Sequence, residues 1–407
     1  MIPQTQRGKF PFSGFVEMSD RLVVLDAQRG VCALFVALLH AKGVSHIHDS
    51  AFIRGSWLFV DFFFVLSGFV IALVYLEQID GAVSFKAFVI RRFGRLWPLH
   101  AFVLLLYIAS EAIKVVAHKA GLPLHTMAFT GAMSVGAIGA NLMLVHSLGL
   151  GYALNWNAPS WSISVEFYTY LMFAALCISA RQWMKTAATI LIGISIAVLS
   201  LCGTQYLGAS LDLGIFRCCY GFFVGVLTFF SYRAVRRRGG RLPTASALEV
   251  GTLIAVVLFV SGAHDGPLTM VAPIIFGSMV FVFAFEAGAV SRLLQKRTFV
   301  WLGDRSYAIY MIHALVGDTI VRVLLSAAAA TPFHALMVTT GADNAGFSVS
   351  FGDRFLTDLY IIFYVAVTLL CADLVHRAIE RPARSLFKRA ADSYLRSRQA
   401  VAAPALT

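Results

Sequence analysis

Charge is what this sequence has least of. Only 13% of its 407 residues are Asp, Glu, Lys or Arg, roughly half the share of an ordinary soluble chain, and its mean hydropathy is +0.77. A soluble globular class is excluded, and the chain reads as a polytopic membrane protein. Also missing from MIPQTQRGKFPFSGFVEMSDRL is a short apolar core followed by a small-residue cleavage site. No removable signal peptide is therefore expected, and insertion falls to the first span. The cysteines, Cys32, Cys177, Cys202, Cys218, Cys219 and Cys371, all lie in apolar runs. They lack metal-ligand spacing and imply neither a metal site nor a disulfide framework. A buried thiol there serves as a small apolar residue. There is no repeat of fixed period and no low-complexity linker, and no appended soluble domain is expected.

Long apolar runs are what the chain has instead. Segments near 20 residues, the length that crosses a bilayer, fall at about 23–42, 57–76, 99–117, 160–180, 187–205, 213–231, 247–263, 268–288, 307–327 and 356–376. With the N-terminus inside, basic residues cluster at every cytoplasmic connection: Arg7, Lys9 and Arg21, then Lys86 to Arg95, Arg181 and Lys185, Arg233 to Arg241, Arg292 to Arg305, and Arg377 to Arg398. The outer connections hold only Lys42, Arg54, Lys119 and Arg354. That asymmetry satisfies the positive-inside rule. The expected fold class is all-α, a polytopic membrane protein with about ten transmembrane helices and both termini cytoplasmic. It divides into a cytoplasmic N-terminal segment 1–22, a transmembrane domain 23–389 and a disordered cytoplasmic tail 390–407. The net charge of +12 is accounted for by this topology and by anionic inner-leaflet lipid, so no nucleic-acid partner is expected.

Several ionisable groups interrupt the apolar runs. Arg29 and His40 stand eleven positions apart in LDAQRGVCALFVALLHAKGV. That is close to three helical turns, so they share a face about 16 Å apart. Charges at that depth cost a few kcal/mol or more and persist where they line a bundle interior or wet cavity. Asp61 lies in VDFFFVLSGFVIALVY, where Ser67 and Gly68 fit simple helix packing. Arg91, Arg92 and Arg95 in FVIRRFGRLWPLHAF form one helical cluster. Positive-inside anchoring explains them, and so would a cytosolic polyanion such as a nucleotide-bearing thioester. In NWNAPSWSISVEFYTYL, Pro159 or Ser160 opens a helix that sets Ser162 and Glu166 at i, i+4. Glu166 is then at a depth comparable to His40, suited to orienting the imidazole or holding a substrate hydroxyl. In GDRSYAIYMIH, the residues Ser306, Tyr310 and His313 share a face, which fits either a cavity wall or interhelical hydrogen bonds. Arg217, Glu286, Asp318, Arg322 and Asp358 are further intramembrane charges, candidates to pair among themselves. Tyr152, Trp156 and Trp161 in or beside the long outer loop suit either sugar stacking or interfacial anchoring.

Taken together, LDAQRG with the Arg-x10-His spacing of Arg29 and His40, VDFFFVLSGF with Asp61, Arg92-x-x-Arg95 followed by Pro98, PSWSISVEFY with Glu166, and GDRSYAIYMIH ending at His313 resemble the acyltransferase-3 family of integral membrane acyltransferases. HRAIERP resembles the family's Tyr-x3-Glu-x-Pro, with Glu380 and Pro382 in place and His376 at the Tyr position. The resemblance implies an O-acyltransferase of the cell inner (plasma) membrane. Its donor would be cytoplasmic acetyl-CoA or another acyl-CoA, its acceptor a hydroxyl of an extracytoplasmic glycan or glycolipid, and no metal is implied. Arg29, Arg91, Arg92 and Arg95 would meet the CoA phosphates, and His40 would be the general base or itself carry the acyl group. Glu166 would orient His40 or grip the acceptor, Asp61 would position one of the arginines, and Ser162, Ser306, Tyr310 and His313 would support them. A proton-coupled transporter of a small solute or lipid-linked sugar is the rival reading of the same buried charges.

Overall fold

The computed structural model describes residues 21–121, 127–151, 154–203, 205–240, 242–329, 337–338 and 348–402, with backbone only for 326–329, 337, 338, 348 and 399–402. Most of the N-terminal segment 1–22, the loop residue Tyr152 and the last five residues lie outside this set.

Nearly every described residue outside the connections is helical, as a chain in lipid requires, because a helix satisfies its own backbone polar groups. The principal helices are α1 (Val23–Leu39), α2 (Phe59–Tyr75), α3 (Ala82–Lys119), α4 (Trp161–Ser179), α5 (Met184–Leu201), α6 (Gly214–Arg237), α7 (Ala245–Gly262), α8 (Ala272–Phe283), α9 (Arg297–Asp304), α10 (Ser306–Ala329), α11 (Arg354–Val375) and α12 (Arg381–Ala402). Among the described residues, eight helical stretches are long and apolar enough to cross a membrane. The other two expected spans correspond to α1, of 17 residues, and to the shorter apolar stretch Pro267–Phe283. The strand content of the described residues is one two-residue antiparallel pair, Met337–Val338 with Ser348–Val349.

Two helices depart from expectation. α3 starts at Ala82 and runs 38 residues, about 57 Å at 1.5 Å per residue, so the arginine cluster sits on the same rod as the apolar span. Pro98 lies inside that helix, where it removes the hydrogen bond to the Gly94 carbonyl. α12 replaces the disordered tail expected from residue 390: the chain stays helical to Ala402. Phe387 packs on Gly94 of α3, Ala391 is fully buried, and Asp392 pairs with Arg91 at 2.5 Å. The apolar stripe of α12 is meaningful only once α3 extends beneath it.

α2 and α6 cross with backbones nearly touching. A Cβ at Gly68 would collide with the Phe222 backbone, and one at Gly225 with Val65, the small-residue packing that lets membrane helices associate. Gly30 on α1 meets Leu302 and Gly303 on α9 in the same way. Ser67, beside Gly68, is no mere spacer; it bonds to Glu166.

Candidate active site

Two cavities enter the bundle from opposite ends. The larger, about 2180 Å³, is lined by the N-terminal end of α1, the C-terminal ends of α2 and α6, the first half of α3 and the α11–α12 junction. The smaller, about 570 Å³, is lined by the other ends of α1, α2 and α6 and by the turn before α4. Val60 and Tyr310 line both, so these two side chains are their common wall.

The larger cavity is strongly basic. Arg29, Arg91, Arg92 and Arg95 all face it, as expected, together with Arg233, Arg305, Arg384 and Lys388. Arg29 is held by Asp26 at 2.9 Å and by Ser306, whose Oγ accepts from Nε at 2.7 Å. Arg92 donates to the Tyr75 hydroxyl at 2.9 Å and stacks on that ring. Among the described residues, the Nε groups of Arg91 and Arg92 have no hydrogen-bond partner. Buried donors in that condition await an acceptor. At the edge of the cavity His376 and Glu380 pair at 2.8 Å across a π-helical turn, so His376 fills the expected aromatic position with an imidazole held by its own carboxylate.

His40 lines the smaller cavity and is exposed there. It closes α1, and its Nδ1 lies 2.8 Å from the Val36 carbonyl. A carbonyl only accepts, so Nδ1 carries the hydrogen, and in the neutral ring Nε2 keeps its lone pair. His313 is fully buried beside it, with ring centroids 4.9 Å apart. Its Nδ1 likewise meets a carbonyl, that of Ile309 at 3.2 Å, and its Nε2 has no partner among the described residues.

The α10 stripe therefore spans the whole site. Ser306 holds Arg29, His313 lies against His40, and Tyr310 stands between, its hydroxyl 2.9 Å from both Ser162 Oγ and the Pro159 carbonyl. Pro159 sits in the 3-10 turn Ala158–Ser160 that opens α4, where the sequence places the helix start.

Four expectations are corrected. Glu166 does not orient His40; its carboxylate accepts from Ser67 and from Tyr170 at 2.6 Å, and it faces the basic cavity. Asp61 positions none of the four cavity arginines but makes a bidentate pair with Arg217, at 2.9 and 2.7 Å, both buried. The remaining intramembrane charges find partners outside their own set: Asp318 binds Lys42, Asp358 binds His46, Arg322 approaches Glu111, and Glu286 accepts from the Val24 amide. Trp156 is buried and donates to the Ser134 carbonyl, so it offers no sugar platform.

Arg217 is the residue whose place the sequence left open. Its guanidinium lies 5.1 Å from both the Trp57 and Trp161 rings and lines the smaller cavity. The signal that finds it is Asp61 itself, since a carboxylate among three Phe needs a cation at matching depth on another helix. Behind this wall, His146 bonds to Ser160 at 3.2 Å and stacks on His100, with ring centroids 5.6 Å apart. Burial pushes the His146 imidazole down to about 4. Among the described residues no group of three or more His, Cys, Asp or Glu is arranged to hold a metal.

A multi-pass helical membrane protein with a basic cavity and an imidazole-bearing cavity meeting at one wall is the class that fold and site define. Residues 22–377 match the acyltransferase domain, and the chain belongs to the acyltransferase-3 family. It is 32% identical over 195 residues to "Protein 2 in picA locus" of Rhizobium radiobacter, covering 46% of this chain and 97% of that one. It is 25% identical over 364 residues to the putative peptidoglycan O-acetyltransferase YrhL of Bacillus subtilis, covering 82% of this chain and 51% of that one. It is also 25% identical over 315 residues to the peptidoglycan O-acetyltransferase OatA of Listeria monocytogenes, covering 71% and 48%. The chain thus spans about half the length of these two named acetyltransferases. No solved structure matches it.

Proposed function

We propose that the protein is a membrane-embedded O-acetyltransferase. It takes an acyl group, acetyl first among them, from an acyl-CoA in the basic cavity and gives it to a glycan or glycolipid hydroxyl in the His40 cavity. The observation that carries this reading is the shared wall: an arginine-lined chamber and a chamber holding the His40 imidazole have Val60 and Tyr310 as common lining residues, and His40 turns its Nδ1, not its Nε2, to the Val36 carbonyl. The basic clusters at one face favour placing the donor on the cytoplasmic side of the inner membrane. The peptidoglycan acetyltransferases among the relatives favour a glycan acceptor outside.

Arg91, Arg92 and Arg95 supply fork-shaped donors suited to the CoA phosphates. Arg29, fixed by Asp26 and Ser306, adds a fourth cation one step deeper. About 16 Å of α1 then separates Arg29 from His40, a length suited to an extended pantetheine arm. His40 Nε2 takes the proton of the acceptor hydroxyl as its oxygen attacks the thioester carbonyl. The acyl C–S bond breaks, an acyl C–O bond forms, and the proton leaves on the departing CoA sulfur. His313, buried against His40, keeps His40 turned toward the cavity.

The test is protein reconstituted in liposomes and given radiolabelled acetyl-CoA with peptidoglycan fragments or crude envelope glycan. The expected result is CoA release with label on the glycan for the wild type, and loss of both in His40→Ala with CoA still bound. Absence of CoA binding and turnover by the wild type, with several acyl chains tried, would overturn the reading.

A further inference from the structure

Resting on the acyl-transfer reading, we infer that Val60 and Tyr310 form a fixed aperture that sets the size of the acyl group the protein transfers. Among the described residues, Val60 and Tyr310 are the two that line both cavities, so the path proposed for an acyl group from the basic chamber to an acceptor beside His40 runs between them.

Neither side of this aperture is free to swing. Val60 is on α2, directly before Asp61, whose bidentate pair with Arg217 ties this turn of α2 to α6. The backbones of the same two helices are locked one and two turns further on by Gly221, Gly68 and Gly225. Val60 itself is 6% exposed and has a stiff, β-branched side chain. Opposite it, the Tyr310 hydroxyl is held by Ser162 and the Pro159 carbonyl, and its ring meets the edge of Phe63 at 5.7 Å. The inferred opening is therefore bounded by packed side chains and would change by the volume of a methyl group or two when Val60 is altered. Packed interiors respond to that scale of change, and one methylene at a close-fitting wall is worth about 10- to 200-fold in discrimination. The chemistry stays as written: the thioester C–S bond breaks, the C–O ester bond forms, and the hydroxyl proton leaves with the CoA thiol.

The experiment measures kcat/KM for acetyl-, propionyl-, butyryl- and hexanoyl-CoA in proteoliposomes of wild type, Val60→Ala and Val60→Ile, with binding of each thioester followed separately. The wild type is expected to fall steeply with chain length. Val60→Ala should raise the butyryl-to-acetyl ratio about tenfold or more, and Val60→Ile should lower the propionyl-to-acetyl ratio. Thioester binding should stay put, because Val60 stands beyond the arginines. Unchanged ratios in variants that still transfer acetyl would overturn the aperture and leave the acyltransferase reading standing. Equal loss with all thioesters in both variants, binding retained, would also overturn it, since a size filter discriminates. A wild type that transfers none of them would overturn both.

Discussion

His40 and His313 face one another with ring centroids 4.9 Å apart, and each spends its Nδ1 hydrogen on a backbone carbonyl of its own helix. Both rings are thereby left with Nε2 unclaimed by any carboxylate among the described residues. One opens on a cavity and the other is sealed behind it. On the proposed acyl-transfer reading, the exposed ring takes the proton-accepting role and the buried ring a supporting one. His313→Ala should lower kcat by a smaller factor than His40→Ala, leave CoA affinity alone, and be partly restored in His313→Asn, whose amide refills the space. Steady-state kinetics on the three variants in one lipid composition check this.

Asp61 and Arg217 bury opposite charges between α2 and α6, flanked by Trp57 and Trp161. Removing one partner of such a pair leaves a bare charge in a dry place, at a cost of about 3–5 kcal/mol. Asp61→Ala and Arg217→Ala should each lower thermal stability sharply. The double variant should be less destabilised than the sum of the two, a coupling that a double-mutant cycle by detergent-phase melting would read.

Gly68 has no room for a side chain, because the Phe222 backbone occupies the position of a Cβ. Gly68→Val should therefore force α2 and α6 apart, with overpacking costs of about 1–3 kcal/mol or more. Gly139, where nothing lies within contact of a Cβ, should accept alanine nearly silently. Melting temperatures of the two variants, measured side by side, make the comparison.

Acidification should loosen the connection that carries His146. Burial holds this imidazole down to about 4 in the folded protein, whereas an exposed His titrates near 6.5. Between those values the unfolded state binds a proton that the folded state refuses, so stability is intact above about 6.5 and is lost as pH falls toward 4. His100, stacked on it, and Ser160, its hydrogen-bond partner, are the groups it would disturb. Hydrogen exchange over residues 137–151 at pH 7 and pH 5 should show faster exchange at the lower pH, and His146→Asn should flatten the difference.

Much of this site was legible because membrane burial makes each charge conspicuous. Arg29, His40 and the Ser306–Tyr310–His313 stripe follow from helical period alone, and all line or border the two cavities. What a single chain does not encode locally is the relative height and rotation of separate helices. Glu166 and His40 looked level by counting from the outer surface, yet the carboxylate meets Ser67 and Tyr170 on the basic side. Asp61 advertised a missing cation, but which of several arginines came within reach was decided by the α2–α6 crossing. The basic segment after residue 390 resembled a solvated tail because its apolar stripe, Phe387, Ala391 and Tyr394, is sparse; only the overlong α3 gives that stripe a surface to cover.

The division of labour between the two cavities is tested most directly by measuring CoA affinity and acetyl transfer together on Arg95→Ala and His40→Ala. Arg95 faces the basic chamber and engages no hydrogen bond or ion pair among the described residues, so it is available to phosphate. Losing a charge-assisted hydrogen bond costs about 1.5–3 kcal/mol. Arg95→Ala should therefore weaken CoA binding by about tenfold or more while saturating turnover survives. His40→Ala should bind CoA as the wild type does and lose about a hundredfold or more in turnover. Intact CoA binding in Arg95→Ala, or acetyl transfer persisting in His40→Ala, would contradict the account.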